Sequence, residues 1–226
     1  MTIKHQKRII PSKEPGCIAI EYEDFFITKQ NKKATSKELG NKVASINSYF
    51  LEYLKEYNIP NAYVKKIEKN SLVFLNFDEF AFKVKVFNVA DKRIAKIFSI
   101  KSGSLLDLPI FEYHFGDSSD SLITESHLIS FNLCTYDEIK LMNRICSKVN
   151  AIMRSFFERR NHQLIELTCG FGKFEGKILL IDHFSPFSLK IIENITGSNL
   201  PDPHKIETNA EIKKYADHLM QLTNGE

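Results

Sequence analysis

Arginine is scarce in this 226-residue chain: 6 of its 31 basic residues are Arg and 25 are Lys. Arg is the better bidentate partner for phosphate, so the chain has few ready anion forks. A codon preference for Lys, Asn, Ile and Phe is the favoured account of the ratio, ahead of selection. A charge excess is also lacking, because 31 basic against 28 acidic residues leave a formal charge of +3. So small a balance gives no strong attraction to nucleic acid or to a membrane surface. No CxxC pair occurs among Cys17, Cys134, Cys146 and Cys169, so reduced thiols in a cytoplasm are expected. Met1-Thr2-Ile3-Lys4-His5 runs into further charge rather than an apolar core, so no secretory leader is expected. The apolar runs are too short to span a bilayer. There is no Walker-type phosphate loop, no His-Glu-x-x-His zinc helix and no Gly-x-Ser-x-Gly nucleophile elbow.

What is present suits a folded core: 43% of residues are hydrophobic and 26% are charged. Residues 1–16 are polar and broken by Pro11, Pro15 and Gly16. Cys17–Ile20 and Phe25–Thr28 read as short strands around an acidic turn, Glu21 to Asp24. Ser36 is a candidate cap for a helix carrying Leu39, Val43, Ile46, Phe50 and Leu54 at helical spacing, which Pro60 stops near Asn58. Ala62–Ile67, Ser71–Phe77 and Phe80–Asn88 are rich in β-branched and aromatic residues and read as strands. Asp91–Ile100 reads as a short helix and Ile110–Phe115 as a strand. Thr135 caps a long amphipathic helix to about Arg160. Gln163–Phe171 and Lys177–Phe184 read as strands joined by a turn at Gly172–Gly176, and Asn209–Leu222 reads as a last helix. This order is not a regular βαβ alternation, so the expected class is α+β.

Four constellations carry possible chemistry, each with a plainer reading beside it. Gly170-Phe171-Gly172-Lys173 suits close approach to a phosphate and equally a hairpin turn. Asp182-His183 before Ser185-Pro186 suits a divalent ion or polar ligand and equally a structural cap, and adjacent strand residues point to opposite faces. Asp120, Thr124, Glu125, Ser126 and His127 offer acid–base groups or a helix start. Lys148, Arg154, Arg159 and Arg160 form a basic side of the long helix, which reads as a solvated face.

Taken in order, these pieces resemble the SAICAR synthetase (phosphoribosylaminoimidazole-succinocarboxamide synthase) family of purine-pathway ligases along nearly the whole chain. The helix Gly40–Asn58 with Ile59-Pro60 is similar to the family's helix ending in Gly-Ile-Pro. Val86-Phe87-Asn88-Val89-Ala90 resembles Val-Arg-Asn-x-Ala, and Asp120 to His127 resembles Asp-Pro-Met-x-Asn-Glu-x-His/Tyr. Ile165 to Gly172 resembles Val-Asp-Phe-Lys-Leu-Glu-Phe-Gly. Ile181 to Lys190 resembles Gly-Asp-Glu-Ile/Phe-Ser-Pro-Asp-x-x-Arg. The resemblance implies a two-lobed α+β fold related to ATP-grasp and kinase-like folds, with antiparallel sheets packed with helices. A smaller β-rich lobe with one helix would span 1–85 and a larger α+β lobe 86–226. It also implies ATP and Mg²⁺ as cofactors and a small-molecule nucleotide as partner. Neither nucleic acid nor membrane is implied, and a homo-oligomer is left open.

The departures fall on charge-handling positions. The N-terminal Gly-Lys-x-x-x-x-Tyr phosphate loop has no evident counterpart, and Lys7-Arg8-Ile9-Ile10-Pro11 reads as a shortened segment. The family's Asn pair becomes Val43-Ala44, its Lys pair Leu75-Asn76, its substrate-binding Arg Phe87, its Lys and Glu Thr168 and Gly170, and its Asp after Ser-Pro Phe187. By resemblance, Asn88, Arg93, Glu125, Lys173, Ser185 and Lys190 are the substrate- or nucleotide-binding candidates, and Asp182 and Glu166 the metal candidates. His183 could also compensate for lost charge, and Phe87, Leu75 and Phe187 would partly fill the pocket. The reading favoured is a pseudoenzyme or altered nucleotide-binding homologue. The alternatives are an active ATP-dependent ligase joining aspartate to carboxyaminoimidazole ribonucleotide, and a nucleotide-free interaction module presenting Leu105–Phe115.

Overall fold

Runs of β-branched and aromatic residues build the first half of the computed structural model, which describes residues 4–28, 30–116, 121–194 and 198–224. Strands β1 (Lys4–Pro11), β2 (Cys17–Ile27) and β3 (Lys33–Thr35) precede helix α1 (Leu39–Glu56), and β4 (Tyr63–Glu68) and β5 (Ser71–Leu75) follow it. They form a five-stranded antiparallel sheet in the order β1-β2-β5-β4, with β3 also paired to β2. One expectation is corrected here. Residues 17–27 are one strand, because pairing to β1 and β5 carries the ladder through the acidic stretch. The N-terminal segment, Lys4–Pro11, forms the edge strand of this sheet.

The cap of α1 is also not the expected one. The helix starts at Leu39 behind Glu38, whose φ of 62° is left-handed, and no side chain of the cap residue satisfies the first turn. Instead Asp24 reaches across from β2 and accepts from the amides of Glu38 (3.2 Å) and Gly40 (2.9 Å). Gly40 allows this approach: a Cβ there would collide with the Tyr22 carbonyl.

The second half is built on the long strand β6 (Asp78–Val89). It continues through α2 (Lys92–Phe98), β7 (Leu105–Phe115), β8 (Leu122–Ile123), α3 (Glu125–Ser130), α4 (Tyr136–Glu158), β9 (His162–Phe174), β10 (Lys177–Leu180), β11 (Leu189–Glu193) and α5 (Asn209–Thr223). The sheet order is β10-β9-β6-β7-β8, with β11 also paired to β9, all antiparallel. Position 85 lies inside β6; the chain passes from one sheet to the other between Leu75 and Asp78. The β9–β10 turn is Glu175-Gly176, both with positive φ as a two-residue hairpin turn requires. Gly170 and Gly172 therefore lie within β9, not in the turn.

Capping boxes start α3 at Thr124 with His127, α4 at Thr135 with Glu138, and α5 at Thr208 with Glu211. Thr124, Glu125 and His127 thus form a helix start; Asp120 lies outside the described residues. On α4, Ile139, Met142, Ile145, Val149, Met153 and Phe156 are buried. One continuous apolar core joins both sheets, with Phe50 of α1 against Phe156, Phe157 and Phe184. Backbone bonds join them too: Ala62 N–H donates to the Leu180 carbonyl (2.9 Å) and Leu180 N–H to the Pro60 carbonyl (3.0 Å). Among the described residues, no helix is long and apolar enough to cross a membrane.

Candidate functional site

A cleft of about 370 Å³ opens between the two sheets. Strand alternation decides what enters it. On β6, Phe82, Val84 and Val86 are buried in the core, so Lys83 and Lys85 point the other way and line the cleft. On β9, Leu167, Cys169 and Phe171 are core residues, while Glu166 and Thr168 line the cleft. From the first sheet β1 contributes His5 and Lys7, β2 contributes Tyr22 and α1 contributes Val43. Four lysines therefore stand against three carboxylates, Glu79, Glu166 and Asp182.

Asp182 is the most constrained of these. It follows the end of β10, which stops at Leu180 rather than at Phe184, so Asp182 and His183 are not strand neighbours on opposite faces; both line the cleft. Lys7 Nζ lies 2.7 Å from one carboxylate oxygen, and Asn47 Nδ2 donates to the other. Asn47 also donates to Tyr22 Oη (2.9 Å) and accepts from the Phe184 amide (3.1 Å), which ties α1 to this loop. Burial alone would raise the Asp182 carboxyl. The Lys7 ammonium, the nearby His183 and hydrogen bonds from Lys7 and Tyr22 outweigh it and hold the group below its ordinary value.

Glu166 is buried and paired with Lys190 Nζ at 2.7 Å, with His204 Nδ1 3.9 Å from its other oxygen. Burial lowers the Lys85 ammonium below its ordinary value, against the pull of Glu166. Burial likewise lowers His5, against a bond to the Glu23 carbonyl and the Asp182 charge. His5 stacks on Phe187, ring centroids 5.3 Å apart, and Phe187 tilts against Phe26.

At Gly170 the His183 ring takes the space a side chain would need. A Cβ there would lie 2.5 Å from His183 Nε2 and closer still to Cδ2. Gly172 does the same for Phe77, whose Cδ2 would be 2.6 Å from a Cβ. Both glycines make room for a neighbouring ring.

The donor set does not fit a divalent cation. Asp182 and Glu166 each carry a lysine partner, position 170 offers no side chain, and among the described residues no three His, Cys, Asp or Glu donors converge in the cleft. An anionic ligand fits better, because desolvated ammonium groups gain most from a negative partner.

Of the residues singled out from sequence, Asp182, Glu166, Ser185 and Lys190 are brought together in the cleft. Thr168 and His183 join them there, whereas the remaining binding candidates go elsewhere. Asn88 is buried against α4 and exchanges two amide bonds of 2.8 Å with Asn150. Arg93 pairs with Glu112 and Lys173 with Glu138. Glu125 accepts from Tyr113 Oη at 2.9 Å. Phe187 lines the cleft, whereas Phe87 packs with Ala90, Ile94 and Ala95 under α2, and Leu75 packs against the main core. Sequence reasoning missed His5, Lys7, Tyr22, Asn47, Lys83 and Lys85. The alternation Phe82-Lys83-Val84-Lys85-Val86 carried a signal for two of them; the others depend on which strands meet.

A sequence model described as SAICAR synthetase matches residues 8–205. The phosphoribosylaminoimidazole-succinocarboxamide synthase of Clostridium botulinum (strain Langeland) is 27% identical over 96% of this chain and 94% of its own. That of Clostridium novyi (strain NT) is 28% identical over 97% and 95%. Among solved structures, SAICAR synthetase from Pyrococcus horikoshii OT3 superposes with a TM-score of 0.86 at 25% identity, covering 98% of each chain. A SAICAR synthetase in complex with ADP gives 0.85 at 25% identity over 97% of this chain and 95% of that one.

Proposed function

The chain belongs to the SAICAR synthetase family of purine-biosynthesis ligases, and we propose that it binds a phosphorylated nucleotide in the cleft between its sheets without performing the family's metal-dependent ligation. One observation carries the reading: both carboxylates retained at the metal candidates, Asp182 and Glu166, are neutralised by lysines of the same chain. A divalent ion would have to displace Lys7 and Lys190, and each displaced ammonium would then face the cation. Phosphoryl transfer depends chiefly on positioning and charge neutralisation. Without a metal, the cleft's lysines can hold phosphate charge but lack the carboxylate-held cation such transfer uses. Support for a nucleotide comes from Lys7, Lys83 and Lys85 in the cleft and from the relative solved with ADP. The four free cysteines favour a reducing compartment such as the cytoplasm.

Thermal denaturation and calorimetry with ADP test this. ADP raises the melting temperature in the presence of EDTA, and Mg²⁺ adds nothing further. Lys85→Met weakens ADP binding by about 10- to 100-fold, one charge-assisted contact of about 1.5–3 kcal/mol. ATP-dependent joining of aspartate to carboxyaminoimidazole ribonucleotide, measured at ordinary enzyme concentration, overturns the proposal. That outcome supports the second reading, a working ligase with Lys83 and Lys85 in its cleft.

A further inference from the structure

Away from the cleft, three metal-ligating side chains converge at the far end of β9. His162 opens that strand, Glu193 closes β11, and the two are register partners in the ladder. His218 comes from α5. Its Nε2 lies 2.6 Å from His162 Nε2, and Glu193 Oε1 lies 3.8 Å from His162 Nε2 and 3.7 Å from His218 Nε2. The three donor atoms all fall within 4.8 Å of one another.

The supporting contacts orient each ligand. His162 Nδ1 donates to the Arg160 carbonyl at 2.5 Å, which leaves the lone pair of the neutral ring on Nε2, facing the other two donors. Ser198 Oγ donates to Glu193 Oε2 and so leaves Oε1 to the cluster. A backbone carbonyl on the far nitrogen of a histidine and a hydroxyl on the far oxygen of a carboxylate are the outer contacts that metal ligands use. His162 is 6% exposed, whereas Glu193 and His218 border a cavity of about 520 Å³. A fourth position is therefore open to water.

We propose that His162, Glu193 and His218 form a binding site for a late divalent transition metal of the Zn²⁺ class, which fastens α5 to the β9–β11 edge. Two imidazoles with one carboxylate suit Zn²⁺ and not Mg²⁺, which prefers an all-oxygen shell. Tetrahedral coordination at 2.0–2.1 Å needs donors about 3.3 Å apart. Occupancy opens the histidine pair from 2.6 Å to that spacing and draws Glu193 in from 3.7–3.8 Å; the cavity beside His218 gives its ring room to tilt. The helix so held also carries Tyr215, whose hydroxyl bonds the backbone of Leu189 and Ile191 beside Lys190. It carries Asp217 as well, which pairs with Lys42 of α1. The site is separate from the cleft and does not rest on nucleotide binding there.

The full chain, stripped with chelator and titrated with Zn²⁺ alone, is expected to retain one metal per chain after desalting and to melt at higher temperature. Co²⁺ is expected to give the visible absorption of a four-coordinate nitrogen–oxygen site, and millimolar Mg²⁺ to leave it unchanged. His218→Ala and Glu193→Gln each weaken Zn²⁺ binding at least about 100-fold. Cys134→Ser, near none of the three ligands, leaves it unaltered. Should His218→Ala not fold, Glu193→Gln, which keeps the side-chain shape, decides. Failure of the wild-type chain to retain Zn²⁺, or retention unchanged in the variants, overturns the site and leaves a proton shared between the two rings.

Discussion

Gly170 shows how one missing side chain is used. With no Cβ at this position the His183 imidazole lies against the β9 backbone, and any larger residue meets the ring. Gly170→Ala is therefore expected to destabilise the protein by about 1–3 kcal/mol, the usual cost of overpacking. His183→Ala removes the obstacle, so Gly170→Ala costs little in that background. Urea unfolding of the two single variants and the double variant measures the coupling, expected to exceed about 1 kcal/mol. Additive effects would mean that the ring and the glycine do not share the space. Sequence alone marked Gly170 as a place where a family ligand is lost; that a neighbouring ring fills the gap depended on β10 ending early enough to turn His183 inward.

At the scale of the element, α1 and α4 contrast. Thr135 and Glu138 close a local capping box on α4, and three-residue spacing announces it in the sequence. The start of α1 depends on Asp24, fourteen residues before Glu38 and sixteen before Gly40. Asp24→Ala should cost about 1 kcal/mol and lower the melting temperature by about 2–4 °C, and more than Ser36→Ala does. A larger loss from Ser36→Ala would restore the local cap. The strands divide the same way. β5 and β6 were legible because both are rich in β-branched and aromatic residues, in a continuous apolar run in β5 and in alternation over Phe82–Val86 in β6. β1 and β11 were not: β1 is a polar edge strand, and β11 is five residues long. Pairing with β2 and β9 makes them strands, and no local window contains that partner.

For the whole molecule the buried cleft charges set a pH dependence. Burial, the largest influence on His5, lowers its folded pKa from the ordinary 6.5, so the folded state binds fewer protons than the unfolded one as the pH falls. The stability is complete above about pH 6.5 and is lost as the pH drops toward the folded pKa. His204, lowered by burial and by Lys190, adds to the same limb. Asp182, held below 3.8 by Lys7 and its other partners despite burial, contributes stability above that value and loses it at lower pH still. Stability is thus expected to fall in two limbs on acidification. His5→Gln should make the upper limb shallower without removing it, as urea midpoints at pH 5 and pH 7.5 would show. An unchanged upper limb would mean that His5 is not desolvated in the folded state.

Sequence order alone was enough for the family, the α+β class, the amphipathic faces of the helices and four candidates that line the cleft, Asp182, Glu166, Ser185 and Lys190. Each depends on local order: period, capping spacing and short motifs in sequence. Which charges face the cleft, and what they touch, follows from strand pairing and packing. Lys7 meets Asp182 across 175 residues of chain, and Glu166 meets Lys190 because β11 folds back onto β9. The same closure sends Asn88, Arg93, Glu125 and Lys173 to partners elsewhere. An ion pair is a statement about distance in space, and distance in space is set by strand pairing and helix packing between residues far apart in the chain.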